Sequence, residues 1–238
     1  MKGRLVSLDR PTDADYAMMA DWLGPASPTA VLTADTNEYA TPEELKQLNN
    51  SGRIRQFAVR DRDGVTVGTV NYRQSGPAGN FIIGGAIGRP DMWQRGLGAE
   101  AFDLLLDHLF HSLNAHRMQF TTALYNKSVL RLATRAGFVL EGILRDYFFL
   151  DGRYHHAAVW SLLRHEYYEA VDILTRVSPT FVGPDLIPES DKAEARELLR
   201  SHLRRPGTET SFQLLLDEAG KGDEASRDQA NPDEGEGR

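Results

Sequence analysis

The sequence predicts an α/β or α+β fold built on one mixed sheet. Three observations carry that expectation. Strand-like alternation and helix-like periodicity take turns along the first 176 residues, with antiparallel hairpins among them. A short apolar strand at 81–87 runs into Gly96-Leu97-Gly98 and out into an apolar helix over roughly 96–112. Finally, 41% of the 238 residues are apolar. That is enough for a core, yet no run approaches the ~18 apolar residues of a membrane span.

Each element has a local reason. Residues 5–8 read as a first strand. Pro11-Thr12-Asp13 then starts a helix over 13–23, with Tyr16, Met19, Ala20 and Leu23 on one face. The stretch 24–40 holds prolines, serines and threonines and reads as mostly loop. Thr41-Pro42-Glu43-Glu44 combines an N-cap threonine, a first-turn proline and acids beside the dipole, and the helix it opens ends near Asn50-Ser51-Gly52. Residues 55–60 and 65–73 alternate as strands around the turn Asp61-Arg62-Asp63-Gly64. The strand at 81–87 and the long helix follow, then a strand over 117–124 and a helix over 128–136 closed by Gly137. Residues 143–150 and 153–163 form a hairpin on Asp151-Gly152, and a last helix covers 165–176.

Beyond 176 the character changes. Pro179, Pro184 and Pro188 punctuate a linker, and 190–205 reads as a charged amphipathic helix. The expected organisation is a folded domain over 1–176, a linker and helical extension over 177–219, and an acidic, disordered tail over 220–238. Residues 217–238 carry eight acids against three bases, net −5 of the chain's −7. The body is therefore close to neutral, which argues against a nucleic-acid binder. With no cysteine there is no disulfide framework, thiolate metal site or cysteine nucleophile. The first residues are charged too early for a signal peptide. A soluble cytoplasmic chain without a membrane span is expected.

Four stretches carry chemistry. The first is Phe81-Ile82-Ile83-Gly84-Gly85-Ala86-Ile87, whose paired glycines mark a bulge or a closely approaching ligand. The second is Gln94-Arg95-Gly96-Leu97-Gly98-Ala99, where the backbone can meet a bulky anion at a helix N-terminus, as a pyrophosphate cradle. The third is Tyr125-Asn126-Lys127-Ser128, with Asn126 placed to bond an extended ligand between strands and Ser128 read as the next helix's N-cap. The fourth is Ala136-Gly137-Phe138-Val139-Leu140-Glu141-Gly142, the turn into the late hairpin.

Taken in order, these stretches resemble the GNAT-type N-acyltransferases, and within them the Rim-type group that acetylates ribosomal-protein N-termini and many small amines. The likeness rests on Trp93 to Ala101, on Asn126 eleven residues before Gly137-Phe138, on Glu141-Gly142-Ile143-Leu144-Arg145-Asp146, and on Asp151-Gly152-Arg153-Tyr154. It covers about residues 4–172. The resemblance implies a central, mostly antiparallel, splayed sheet flanked by helices, with 177–238 an addition to it. It implies acetyl-CoA as donor and no metal. The donor's pyrophosphate would lie on Gln94, Arg95, Gly96, Leu97, Gly98 and Ala99. Its pantetheine arm would pair with Ile83, Gly85, Ala86 and Ile87, and Asn126 would touch the arm. A neutral amine attacks the thioester directly, and relatives often dimerise.

The chain departs from the pattern at its acid–base positions. Val129 stands where relatives often carry serine, Ile82 and Phe148 where acids occur, and His156 where aspartate is common. His156 is therefore the preferred base, since imidazole titrates near working pH, with packing beside Tyr154 and Trp160 as its plain alternative. Asp146 and Tyr147, before the hairpin turn, are further catalytic candidates. Asp35 and Glu38 would suit a cationic amine in the acceptor pocket, or are solvated loop charge. His108 and His111 with Asp103 and Asp107 read as a solvent face, and Arg196, Arg200 and Arg204 as a stripe that meets RNA, an anionic carrier or its own helix's glutamates. The leading expectation is acetyl transfer to a small-molecule primary amine. Two rivals stay open: another donor, carried by an acyl carrier protein or by tRNA, and a non-catalytic CoA sensor.

Overall fold

A computed structural model describes residues 1–25, 27–33, 40–177 and 187–205. Seven strands form one sheet in the order β1-β2-β3-β4-β5-β7-β6. They are β1 (Val6–Asp9), β2 (Arg55–Asp61), β3 (Thr66–Gln74), β4 (Asn80–Ile87), β5 (Arg117–Ala123), β6 (Val139–Leu150) and β7 (Arg153–Leu163). All pairings are antiparallel except β4 with β5. The helices are α1 (Asp13–Leu23), α2 (Pro28–Thr33), α3 (Pro42–Asn50), α4 (Leu97–Asp107), α5 (Lys127–Arg135), α6 (Arg164–Val177) and α7 (Glu189–Leu203). The chain divides into two compact units, Met1–Pro184 and Asp185–Arg238, the second containing α7.

Alternation along the strands feeds two cores. Val59 joins Val6, Val67, Val70 and Ile83 under Ala101 and Leu105 of α4 and Leu109 of the π-helical turn after it, while its neighbour Ala58 packs with Tyr16, Met19 and Leu45 of α1 and α3. Each fully buried aliphatic side chain contributes about 1.5–3 kcal/mol. α6 docks through Tyr167, whose ring stacks on Phe110 at 4.7 Å.

Asp15, only 1% exposed, ties α1 to the sheet. Its carboxylate accepts from the Thr66 hydroxyl at 2.6 Å, the Thr12 amide at 2.7 Å and hydroxyl at 2.8 Å, and the Arg60 guanidinium at 2.7 Å. Burial raises its pKa, but the bonds from Thr66 and Thr12 and the charge of Arg60 outweigh that and hold it below the ordinary value.

Several local expectations need correction. The stretch read as loop contains α2, opened by Ser27-Pro28, with the Thr29 amide donating to the Ser27 hydroxyl at 3.2 Å. Gly84 and Gly85 mark no bulge, because β4 pairs with β3 in unbroken register. Gly85 answers to its neighbour strand instead: a Cβ there would lie 2.7 Å from the Thr69 carbonyl oxygen. The irregularities lie at Val59/Arg60 and twice in β6, which begins at Val139 rather than Ile143. Asn126, not Ser128, caps α5, accepting from the Val129 amide at 3.2 Å.

Of the stripe read as a solvent face, Asp103 is exposed, while Asp107, His108 and His111 pack inward. The His108 ring contacts Phe57 and Tyr72, Asp107 accepts from Tyr167 Oη at 2.5 Å, and His111 Nδ1 lies 3.2 Å from Tyr168 Oη. Asp35 and Glu38, the linker over 178–186 and everything beyond 205 lie outside the described residues. On α7, Arg196 pairs with Glu189 and Arg200 with Glu197, the arrangement of a salt-bridged helix surface. Among the described residues no helix is long and apolar enough to cross a membrane, and no group of three or more histidines and acids could hold a metal.

Candidate active site

The site starts where two parallel strands part. β4 bonds to β3 from Phe81 to Ile87, but pairs with β5 only from Asn80 to Ile82. Beyond that the strands splay, and β4 keeps one open edge. The amide of Gly88 donates to the Val67 carbonyl at 2.9 Å, which fixes the parity. Gly84 and Ala86 turn their peptide groups to β3, whereas Ile83, Gly85 and Ile87 turn theirs to the opening. There the Ile87 carbonyl accepts from Trp93 Nε1 at 2.7 Å. Gly85 keeps its donor and acceptor, and Ile83 its carbonyl, open to an extended chain, the Ile83 amide being spent on Gln119 of β5.

The open edge leads into the first turn of α4. Gln94 and Gly96 both have positive φ, 63° and 82°, so the chain reverses tightly and α4 begins with no side-chain cap. The first helical bond is Glu100 N–H to the Gly96 carbonyl, 3.1 Å, leaving the amides of Leu97, Gly98 and Ala99 without acceptors in the helix. They point at one spot with the positive dipole end behind them. Glu100 fixes the turn from below: its carboxylate accepts from the Arg4 amide at 2.9 Å, the Val6 amide at 2.8 Å and the Leu5 amide between them.

Together these elements line a cleft of about 500 Å³. Gly85, Ala86, Ile87, Gln94, Gly96, Leu97, Gly98, Ala99 and Asn126 line it, all expected from the sequence. Ile83 is buried and offers its backbone edge, and Arg95 is exposed outside the lining. Asn126 is more committed than its motif suggested. Besides capping α5, its Nδ2 donates to the Leu32 carbonyl at 3.0 Å, and the Tyr125 hydroxyl donates to the Val31 carbonyl at 3.0 Å. These two side chains finish α2 and hold it against the cleft. Burial, and then the Asp151 carboxylate, push the Tyr125 pKa up, so its hydroxyl remains a donor.

Two contributions escaped the sequence reading. Thr29, Leu32 and Thr33 of α2 form a wall, with the Thr29 hydroxyl donating to the Gly88 carbonyl at 3.2 Å. Ser128, Arg131, Leu132 and Arg135 form a stripe of α5 along the opposite side. Ser27-Pro28, the same kind of start as Thr41-Pro42, was the sign of the first. The spacing 128, 131, 132, 135 was the sign of the second.

The proposed acid–base trio does come together, but apart from this cleft. Residues 145–147 form a wide bulge in β6, with Leu144 opposite Ala157 and Phe148 opposite His155. Asp146, at φ 49°, donates its amide to His156 Nδ1 at 2.9 Å, and its carboxylate lies 3.2 Å from the same nitrogen. In that arrangement Nδ1 is an acceptor and the neutral ring carries its proton on Nε2. Tyr147 joins them in a shallow second depression with Ile143, Leu144 and Arg145. His155 turns the other way: its ring meets Tyr125 edge-on at 5.1 Å, and its Nε2 is buried without a hydrogen-bond partner among the described residues.

The cradle fits the coenzyme that such a cleft implies. A Cβ on Gly98 would meet only Ile87, at 3.5 Å, so the protein's own packing does not require glycine there. A splayed strand pair whose open edge leads into a glycine-opened helix defines a CoA-dependent acyltransferase. Residues 6–139, more than half the chain, match the family described as acetyltransferase (GNAT) domain, and the protein belongs to that family.

The chain is 32% identical over 126 residues to the uncharacterized N-acetyltransferase p20 of Bacillus licheniformis, spanning 52% of this chain and 70% of that one. It is 28% identical over 138 residues to the spermidine N(1)-acetyltransferase of Vibrio cholerae, spanning 54% and 77%. Among solved structures, the V. cholerae spermidine N-acetyltransferase in complex with CoA and spermine superposes with a TM-score of 0.60 at 23% identity, covering 69% of this chain and 98% of that one. The ribosomal-protein-S5-alanine acetyltransferase of Vibrio fischeri gives 0.56 at 18%, covering 70% and 97%. These two share the fold. The protein is thus an N-acetyltransferase with acetyl-CoA as its co-substrate.

Proposed function

We propose that the protein transfers an acetyl group to the primary amine of a small molecule in the cytoplasm, by direct attack in a ternary complex. One observation carries the donor half of this reading: the unpaired edge of β4 delivers an extended ligand straight to the uncapped amides of α4. Bound there, acetyl-CoA supplies the activated thioester. Ile83 and Gly85 hold the arm by backbone bonds, and the amides of Leu97, Gly98 and Ala99, with Gln94 and Arg95 beside them, hold the pyrophosphate. Asn126, already fixed by α2 and α5, offers its remaining hydrogen-bonding capacity beside the arm.

The acceptor half rests on the relatives. A spermidine acetyltransferase matches across three quarters of its own length, which makes polyamines the first acceptors to try. His156 is the base of this reading: a water relays the amine proton from the cleft to its Nδ1, which gives up the Asp146 amide, and the Asp146 carboxylate, 3.2 Å away, steadies the imidazolium. A second copy along β6 is part of this reading, because that edge strand exposes Val139, Leu140, Ile143 and Phe149, each 45–59% exposed.

The test is release of free CoA thiol from acetyl-CoA with spermidine, spermine, other small primary amines and alanine-started peptides. Turnover with a small amine and none with peptides is expected. Turnover confined to peptides would replace the acceptor. Silence with every acceptor would remove the proposal.

A further inference from the structure

Arg131 and Arg135 are the charged side chains among the described residues that line the donor cleft, and no described aspartate or glutamate joins them. In a chain with 34 acids and a net charge of −7, that wall is singled out. Both arginines are exposed, and neither guanidinium has an ion-pair or hydrogen-bond partner among the described residues. They stand one helical turn apart on α5, where like charges repel each other mildly. Their face, shared with Ser128 and Leu132, lies along the cleft. The anion site at the head of α4 belongs to a different element. The cleft therefore offers two separate places for negative charge, one of backbone amides and one of guanidinium forks.

Coenzyme A carries two separate anionic groups in the same sense: an internal pyrophosphate and a phosphate monoester on the ribose 3′ oxygen. A monoester presents three oxygens and close to two charges, which suits a pair of planar forks. We propose that Arg131 and Arg135 form a subsite for that 3′-phosphate, so that the protein distinguishes coenzyme A from its 3′-dephospho form. The proposal rests on the donor assignment made above and adds a specificity determinant to it.

Calorimetric titration of coenzyme A and of 3′-dephospho-coenzyme A, into the full chain and into the double variant Arg131→Gln/Arg135→Gln, tests it. The wild type is expected to bind coenzyme A at least about tenfold more tightly than the dephospho form, the ratio of one partly screened charge-assisted bond. The variant is expected to bind both alike, at the wild type's dephospho level; that unchanged affinity also reports an intact fold. Equal binding of the two ligands by the wild type, or a preference that survives in the variant, overturns the subsite while leaving the donor cleft standing. Failure of the wild type to bind either ligand overturns the donor assignment and the subsite with it.

Discussion

Gly98 separates what the fold needs from what the ligand needs. It is the second residue of α4, and the Cβ of an alanine there would touch Ile87 Cγ1 at 3.5 Å, an ordinary contact. Replacing glycine by alanine in a helix gains about 0.5–1 kcal/mol, mainly by narrowing the unfolded ensemble. For a folded unit of this size that raises the melting temperature by about 1–4 °C. In the proposed donor site the same methyl stands where the pyrophosphate would approach the amides of Leu97, Gly98 and Ala99. Loss of one charge-assisted bond there weakens donor binding by about 10- to 100-fold.

Gly98→Ala is therefore expected to be more stable and a poorer binder. Gly96→Ala supplies the contrast. At φ 82° an alanine is strained by about 1–2 kcal/mol, so that variant melts earlier. Thermal melting followed by titration of acetyl-CoA into each variant reads both effects. Full affinity in a stabilised Gly98→Ala protein would refute the close approach of ligand to helix.

Further consequences can be measured on the same preparation. Glu100→Ala strips the acceptor from three consecutive amides and is expected to cost about 2–3 kcal/mol in urea unfolding, with a raised KM for donor and an unchanged kcat; equal losses in both would point to general damage. Asp15→Asn is expected to cost about 3 kcal/mol at neutral pH. Because the folded pKa of Asp15 lies below the ordinary 3.8, its contribution is complete above that pH and is lost as the pH falls through the folded value. The gap between wild type and variant should therefore close in acid, and a gap constant down to pH 2 would contradict the linkage. His156→Ala is expected to lower kcat at least about tenfold with donor affinity unchanged, and unaltered turnover would hand the amine proton to water. Ile143→Glu with Phe149→Glu is expected to convert a dimer seen by light scattering into a folded monomer, and a persistent dimer would move the interface away from β6.

Much of the fold was legible because its punctuation is local. Thr12 and Thr41 both make the full capping box, and Gly137 takes the positive φ of 75° that a helix end asks for. Asp151 and Gly152 adopt positive φ, 52° and 74°, as a two-residue hairpin requires. The turn proposed as the cradle was legible for the same reason, since glycine spacing at a strand-to-helix turn is a statement about backbone. What escaped depends on partners distant in sequence. α2 is six residues long and is finished by side chains 94 positions away, Tyr125 on Val31 and Asn126 on Leu32. No window around Pro28 contains that information. The inward turn of His108 and Asp107 likewise depends on rings from β2, β3 and α6. The acid–base assignment was hardest to read, because a three-residue bulge in β6 decides where Asp146 and Tyr147 stand, and periodicity does not foretell bulges.

The bonds that finish α2 also join two events that chemistry keeps separate. Tyr125 and Asn126 fasten the end of α2 to the start of α5, so whatever fills the cleft and whatever stiffens α2 share one free-energy term. Linkage then works in both directions: a second substrate that orders α2 must raise the affinity for the first by the same factor by which the first raises its own. Occupancy of one site becomes information available at the other, carried by two carbonyl groups.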